Sequence, residues 1–164
     1  GEALRIVQDH LDSKNYYAFN PAFDKICAQP RDTLDWLQQD ANSGSRNSAY
    51  LLGVLHEFGY IGFSCDQQKA FYWYCKSAAG DFPLAYAALG RCYYDGIGTE
   101  TNFQKAFENL SLAEKKQSGC KRAPLYLARC YRYGYGTKAS HKKAKYYYDC
   151  ASLTAQEQAE ANSF

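Results

Sequence analysis

"LGRCYYDGIGTETNFQKAF" at residues 89–107 returns 38 positions later as "LARCYRYGYGTKASHKKAK" at 127–145, and "LGVLHEFGYIGFSCDQQKAF" at 52–71 is an earlier version of both. The later two share Leu, Arg-Cys-Tyr, Gly-x-Gly-Thr and Lys-Ala in register. Self-similarity at this period marks a repeat array, in which each unit is too small to bury its apolar face and stacked neighbours complete the core.

Each copy reads as two helices. "PLAYAALGRCYYDG" (83–96) begins on a proline suited to a first helical turn and ends on glycine. Asn102 caps a second helix over 103–117, which Gly119 closes. Gly96 and Gly98, like Gly134 and Gly136, suit a connection that needs positive φ. Ala85, Gly90, Ala106 and Ala113 mark close helix approach, while Leu89, Tyr93, Phe107 and Leu110 fill the gaps. Spacings of three and four put these residues on one face of each helix, so all of them read as core packing.

The same reading places helices near 47–58 and 67–79 in the first copy, where Tyr60-Ile61-Gly62 lengthens the loop, and near 122–133 and 140–151 in the third. "PRDTLDWLQQDANSG" (30–44) reads as the second helix of an incomplete repeat, preceded by helices near 2–13 and 21–28 with Asn20 as a cap. Residues 154–164 read as a short polar helix. The expected fold is all-α, an α/α solenoid with an N-terminal cap (1–45), repeats at 46–80, 81–119 and 120–153, and a C-terminal capping helix (154–164).

Composition bounds the classes. Charged residues are 22% and aromatics 16% of 164, which excludes a disordered tail. The longest apolar run, "AYLLGVL" at 49–55, is far short of a membrane span. "GEALRIVQDH" carries no apolar signal core, so no targeting peptide is expected, and a leading Gly without any Met reads as a piece of a longer chain. Seven cysteines (27, 65, 75, 92, 120, 130, 150) form no C-x-x-C, which argues against zinc. Stacked repeats would hold Cys92 and Cys130 about 10 Å apart, beyond disulfide reach. Reduced thiols in the cytoplasm are expected, with the endoplasmic reticulum lumen as the alternative.

No catalytic residue, metal or cofactor is expected. "HEFGY" (56–60) lacks the second histidine of a metalloprotease motif, and "GIGTE" and "GYGTK" have no preceding strand to make them phosphate loops. His10 and His141 complete the histidines without forming a base-and-nucleophile set. Asn109-Leu110-Ser111 is a formal glycosylation acceptor whose place inside a helix makes it a coincidence.

The array resembles the Sel-one-like repeat (SLR), a relative of the tetratricopeptide repeat. The residues that carry the likeness are Ala85, Leu89-Gly90, Tyr93, Gly96, Gly98 and Lys105-Ala106, and in the first copy Lys69-Ala70, Trp73 and Ala78-Ala79. It covers about 46–152, with departures at Leu55, Asn109 and Ala128. The resemblance implies a non-catalytic adaptor or scaffold. One cysteine-rich secreted branch binds penicillins and carries a disulfide between each repeat and the next. The joints here, "SAAGDFPLAY" (77–86) and "QSGCKRAPLY" (117–126), lack its paired cysteines, so that branch is disfavoured.

Charge is unevenly spread. Lys115 to Lys145 hold ten basic residues and no acid, whereas residues 1–66 carry nine acids against five bases, a net of 5 − 9 = −4. A solvated helical face would explain this, as would an electropositive half that attracts an acidic partner. In related superhelices the first helix of each repeat lines the concave surface. That geometry implies an exposed stripe of Asn47, Tyr50, Val54 and Glu57, then Leu84, Ala87, Arg91 and Tyr94, then Arg122, Leu125, Arg129 and Arg132. The last set is a basic ridge, and arginine's planar fork suits carboxylates and phosphates. The expected partner-binding residues are Tyr50, Leu84, Arg91, Tyr94, Arg122, Leu125, Arg129 and Arg132. The leading reading is a scaffold whose groove takes an acidic protein segment, with no membrane partner. The alternatives are single-stranded RNA binding through basic and aromatic residues, or a penicillin-binding, β-lactamase-like protein.

Overall fold

The structure, a computed structural model, describes residues 30–59 and 64–163. The expected helices near 2–13 and 21–28, the Asn20 cap, Cys27 and the Tyr60-Ile61-Gly62 insertion lie outside the described residues. Those described are all-α, in the order α1 (Pro30–Asn42), α2 (Arg46–Phe58), α3 (Gln67–Ala79), α4 (Pro83–Asp95), α5 (Phe103–Lys115), α6 (Ala123–Tyr133), α7 (His141–Cys150) and α8 (Ala155–Asn162). The fold class is the α/α solenoid of paired helices. Two compact units divide the chain, Gly1–Ala85 and Tyr86–Phe164, with the division falling inside α4.

Local chemistry recurs from repeat to repeat. Asp66, Asn102 and Ser140 cap the second helices, and their side chains accept from the amides of Lys69, Lys105 and Lys143 at 3.0, 3.0 and 3.3 Å. Their own amides donate to the carbonyls of His56, Tyr93 and Tyr131, each at 2.8 Å, which ties every cap to the end of the preceding helix. The alanine after each of those lysines (Ala70, Ala106, Ala144) is fully buried.

The position one helix earlier is equally demanding. A Cβ on Gly53 would stand 2.5 Å from the Tyr74 ring, and one on Gly90 would stand 2.5 Å from Leu110 Cγ. In the third repeat Ala128 packs in one cluster with Tyr148, which holds the place of Tyr74 and Leu110. Within the first unit Tyr74 is 1% exposed and its hydroxyl donates to Glu57 Oε2 at 2.6 Å.

One expected helix end moves. α5 stops at Lys115, and Gln117 makes the left-handed turn at φ 51°, two residues before Gly119. The Ser118 amide returns to the Ala113 carbonyl at 2.9 Å, so the closing bonds form around a non-glycine residue.

Candidate functional site

The second unit gathers the basic ridge and a partner for it. Arg122 precedes α6, Arg129 and Arg132 lie along it, and α8 brings Glu157 and Glu160 opposite them. Arg122 donates to Glu157 from Nη1 at 3.0 Å and from Nη2 at 2.7 Å. Arg129 donates to Glu160 from Nε at 3.1 Å and from Nη2 at 2.8 Å. Both pairs are bidentate, the arrangement arginine's fork favours. Arg132 reaches the Glu160 carbonyl at 2.6 Å and Ser163 Oγ at 3.2 Å, and the Tyr148 hydroxyl donates to Glu160 Oε1 at 2.8 Å.

Local sequence sets α8 in place. Thr154 and Glu157 form a reciprocal capping box, so the carboxylate that meets Arg122 also accepts the Thr154 amide at 2.8 Å. Burial alone would push Glu157 up, but the Arg122 and Thr154 hydrogen bonds outweigh it and hold the carboxyl at about 2. Glu160 is lowered first by its bonds from Arg129, against burial, and then by Tyr148. The Glu160 bonds in turn keep Arg129 above the usual arginine range.

Under these pairs lies an apolar floor. Leu125, Ala128, Ala144 and Tyr148 form a buried cluster, with Leu153 and Ala161 packed against it. The expectation of an exposed stripe is therefore corrected at Leu125, which is fully buried, and likewise at Tyr50 (4% exposed), Val54 (1%) and Ala87 (5%). In the second unit this face of each first helix turns toward the next one. Ala87 packs with Ala123, Tyr126 and Leu127 of α6, and Leu125 with Ala161 of α8. α8 thus covers the last repeat as a following repeat would.

The remaining expected residues are divided between the two units. Tyr50 and Leu84 belong to the first unit, where Tyr50 is edge-on to Phe82 at 5.4 Å. Tyr94 is half-buried, ringed by Tyr126 (5.1 Å), Phe103 (5.4 Å) and Tyr135 (6.0 Å), and burial pushes its phenol up. Arg91 is half-buried on α4. The sequence reading missed Glu157 and Glu160 as site residues. Their signal was legible as a Thr-x-x-Glu capping box and a second acid three residues on, beside a stretch with no acid of its own.

Among the described residues no group of three or more His, Cys, Asp or Glu is placed to hold a metal, and no helix is long and apolar enough to cross a membrane. The profile of the Sel1 repeat matches residues 47–82, 83–118 and 123–153. The chain belongs to the Sel1 repeat family. Sel1 repeat proteins bind other proteins and generally act as non-catalytic scaffolds. The chain is 34% identical over 62 residues to the ERAD-associated E3 ubiquitin-protein ligase component HRD3A of Arabidopsis thaliana, a match covering 38% of this chain and 9% of that protein. Its fold resembles a Sel1 repeat protein from Oxalobacter formigenes, with a TM-score of 0.62 and 24% identity over 72% of this chain and 46% of that one. It spans less than half the length of either relative.

Proposed function

We propose that this Sel1 chain is a non-catalytic scaffold that binds an acidic, helical segment of another protein along Arg122, Arg129 and Arg132. The observation that supports the reading is the bidentate grip of Arg122 and Arg129 on two glutamates three residues apart. Any helix offering the same pair of carboxylates meets the same donors. Arg91 and Tyr94, on α4 of the same unit, are the further contacts in this reading, and Leu125 is its apolar floor. The free thiols Cys65, Cys130 and Cys150 support a cytoplasmic setting, and burial pushes Cys130 up to about 12, where it stays protonated.

The test is capture of partners by the chain and by two charge reversals. Arg129→Glu replaces attraction by repulsion in a partly enclosed site, so binding falls about 30-fold or more. Lys142→Glu, exposed on α7, changes it little. Equal losses from both variants would mean a diffuse basic surface, and loss on nuclease treatment would transfer the reading to RNA.

A further inference from the structure

We infer that the outer face of α7 is a self-association surface. A second copy of this chain docks on it antiparallel, with Lys145 of each copy against Asp149 of the other and both Tyr146 rings near the centre. The inference goes beyond the acidic-partner reading and uses none of the ridge arginines.

Three observations carry it. The first is a pair of unmatched charges. Several lysines of the second helices are engaged within their own chain: Lys69 lies 4.0 Å from Asp66, while Lys76, Lys105 and Lys143 sit over the rings of Trp73, Tyr93 and Tyr131 at 5.4, 5.4 and 5.2 Å. Lys145 and Asp149, both exposed and one turn apart on α7, make no hydrogen bond, ion pair or ring contact among the described residues. The second is Tyr146 beside them, the most exposed of the large apolar side chains described, at 62%. The third is the open cleft between α7 and α8, lined among others by Lys145, Asp149, Gln158 and Asn162. Burying polar groups without partners is costly, so whatever docks along such a face must itself be polar.

Helical geometry turns these into a register. Residues four apart rise about 6 Å and share a face. An antiparallel copy centred on Tyr147 brings Lys145 level with Asp149 of the second copy and, by the twofold symmetry, Asp149 level with the second copy's Lys145. The two Tyr146 residues then lie about 3 Å apart along the axis, where their rings can pack. Lys142 comes level with Ser152 and meets no base, and Lys143 is turned away over Tyr131. A uniformly acidic segment would meet Asp149 with like charge, and a uniformly basic one would meet Lys145 so. The same face on a second copy answers each charge with its opposite. The contact is one helix face wide, so the pairing is weak and reversible.

The test is sedimentation equilibrium of the full chain, in a concentration series reaching the submillimolar range, beside Lys145→Asp, Asp149→Lys and the double exchange Lys145→Asp/Asp149→Lys. The wild type should show a monomer–dimer equilibrium. Each single reversal sets like charges together twice across the twofold and should weaken the dimer about 10-fold or more. The double exchange keeps the net charge and restores opposite pairing, so it should return to within about 3-fold of the wild type. A second measurement needs no variant. A carbodiimide that joins carboxylate to amine, applied to a mixture of light and heavy-nitrogen-labelled chains, should give Lys145–Asp149 cross-links of mixed isotope, which only pairing between copies produces. Sedimentation as a monomer throughout, without mixed cross-links, overturns the inference. A dimer that ignores the single reversals, or that the double exchange fails to restore, pairs through another face and overturns it equally.

Discussion

Acid should loosen α8 before it unfolds the rest of the second unit. Glu157 sits at about 2 in the folded chain against 4.5 for the unperturbed group, and Glu160 is lowered in the same direction. A carboxyl whose folded value is depressed adds stability that is fully present above its unfolded value and is lost as pH falls through the folded one. The window therefore runs from about 4.5 down to about 2. At about 1.4 kcal/mol per unit the Glu157 shift would be worth about 3 kcal/mol, and the remaining solvent exposure of the pair reduces this to about 1–2 kcal/mol. The groups facing the two carboxyls are Arg122, Arg129, Arg132 and Tyr148, none of which changes charge in that window. Hydrogen exchange of the 155–163 amides, followed from about pH 6 to about pH 3, reads the local opening, and urea unfolding over the same range reads the global loss. The wild type should lose protection at 155–163 steeply with falling pH, and Glu157→Gln/Glu160→Gln should start less protected and lose little more. Parallel pH profiles in the two proteins would refute the claim that these carboxyls hold the helix.

Two further predictions test the packing. Gly136 has φ 69° and a Cβ there would overlap the Phe103 carbonyl, whereas Gly119 has φ 72° and nothing within 4 Å. Gly119→Ala should cost about 1 kcal/mol for the backbone alone and Gly136→Ala about 3 kcal/mol or more, so equal melting temperatures would remove the steric argument. Tyr74→Phe strips a buried hydrogen bond from the Glu57 carboxylate and should cost about 1–3 kcal/mol by urea unfolding, and a loss under about 0.5 kcal/mol would show that bond to be dispensable.

The repeat was legible because its period is written in small residues and glycines that have no substitute. Gly53, Gly90, Ala70, Ala106 and Ala144 sit where a neighbour leaves no room, and the helices paired around them fall within a residue or two of their expected bounds. Which way a first helix turns was less legible. Tyr50, Ala87 and Leu125 share a spacing that fits an open groove as well as a covered face, because periodicity gives a stripe without saying what lies against it. The arginines were identifiable as carboxylate binders by chemistry alone. Their pairing with Glu157 and Glu160 was not, since these lie 35 and 31 residues from Arg122 and Arg129, and a capping box marks where the acids sit on a helix without saying what that helix meets.

The tyrosine–carboxylate pairs explain why the last repeat depends on α8. In the first repeat the residue four after Gly53 is Glu57, and its carboxylate takes the Tyr74 hydroxyl. In the third the equivalent place is Arg132, and the Tyr148 hydroxyl donates to Glu160 of α8 instead. With a base at that place the acceptor comes from the next helix, and the same base reaches that acceptor's backbone carbonyl. Glu160 then answers Arg129, Tyr148 and, through its carbonyl, Arg132, whereas Glu157 answers Arg122 and its own Thr154 cap. Losing the Glu160 carboxylate takes the acceptor from Arg129 of α6 and Tyr148 of α7, and losing that of Glu157 takes it from Arg122 and the Thr154 amide, so each carboxylate ties α8 to the rest of the unit through more than one donor.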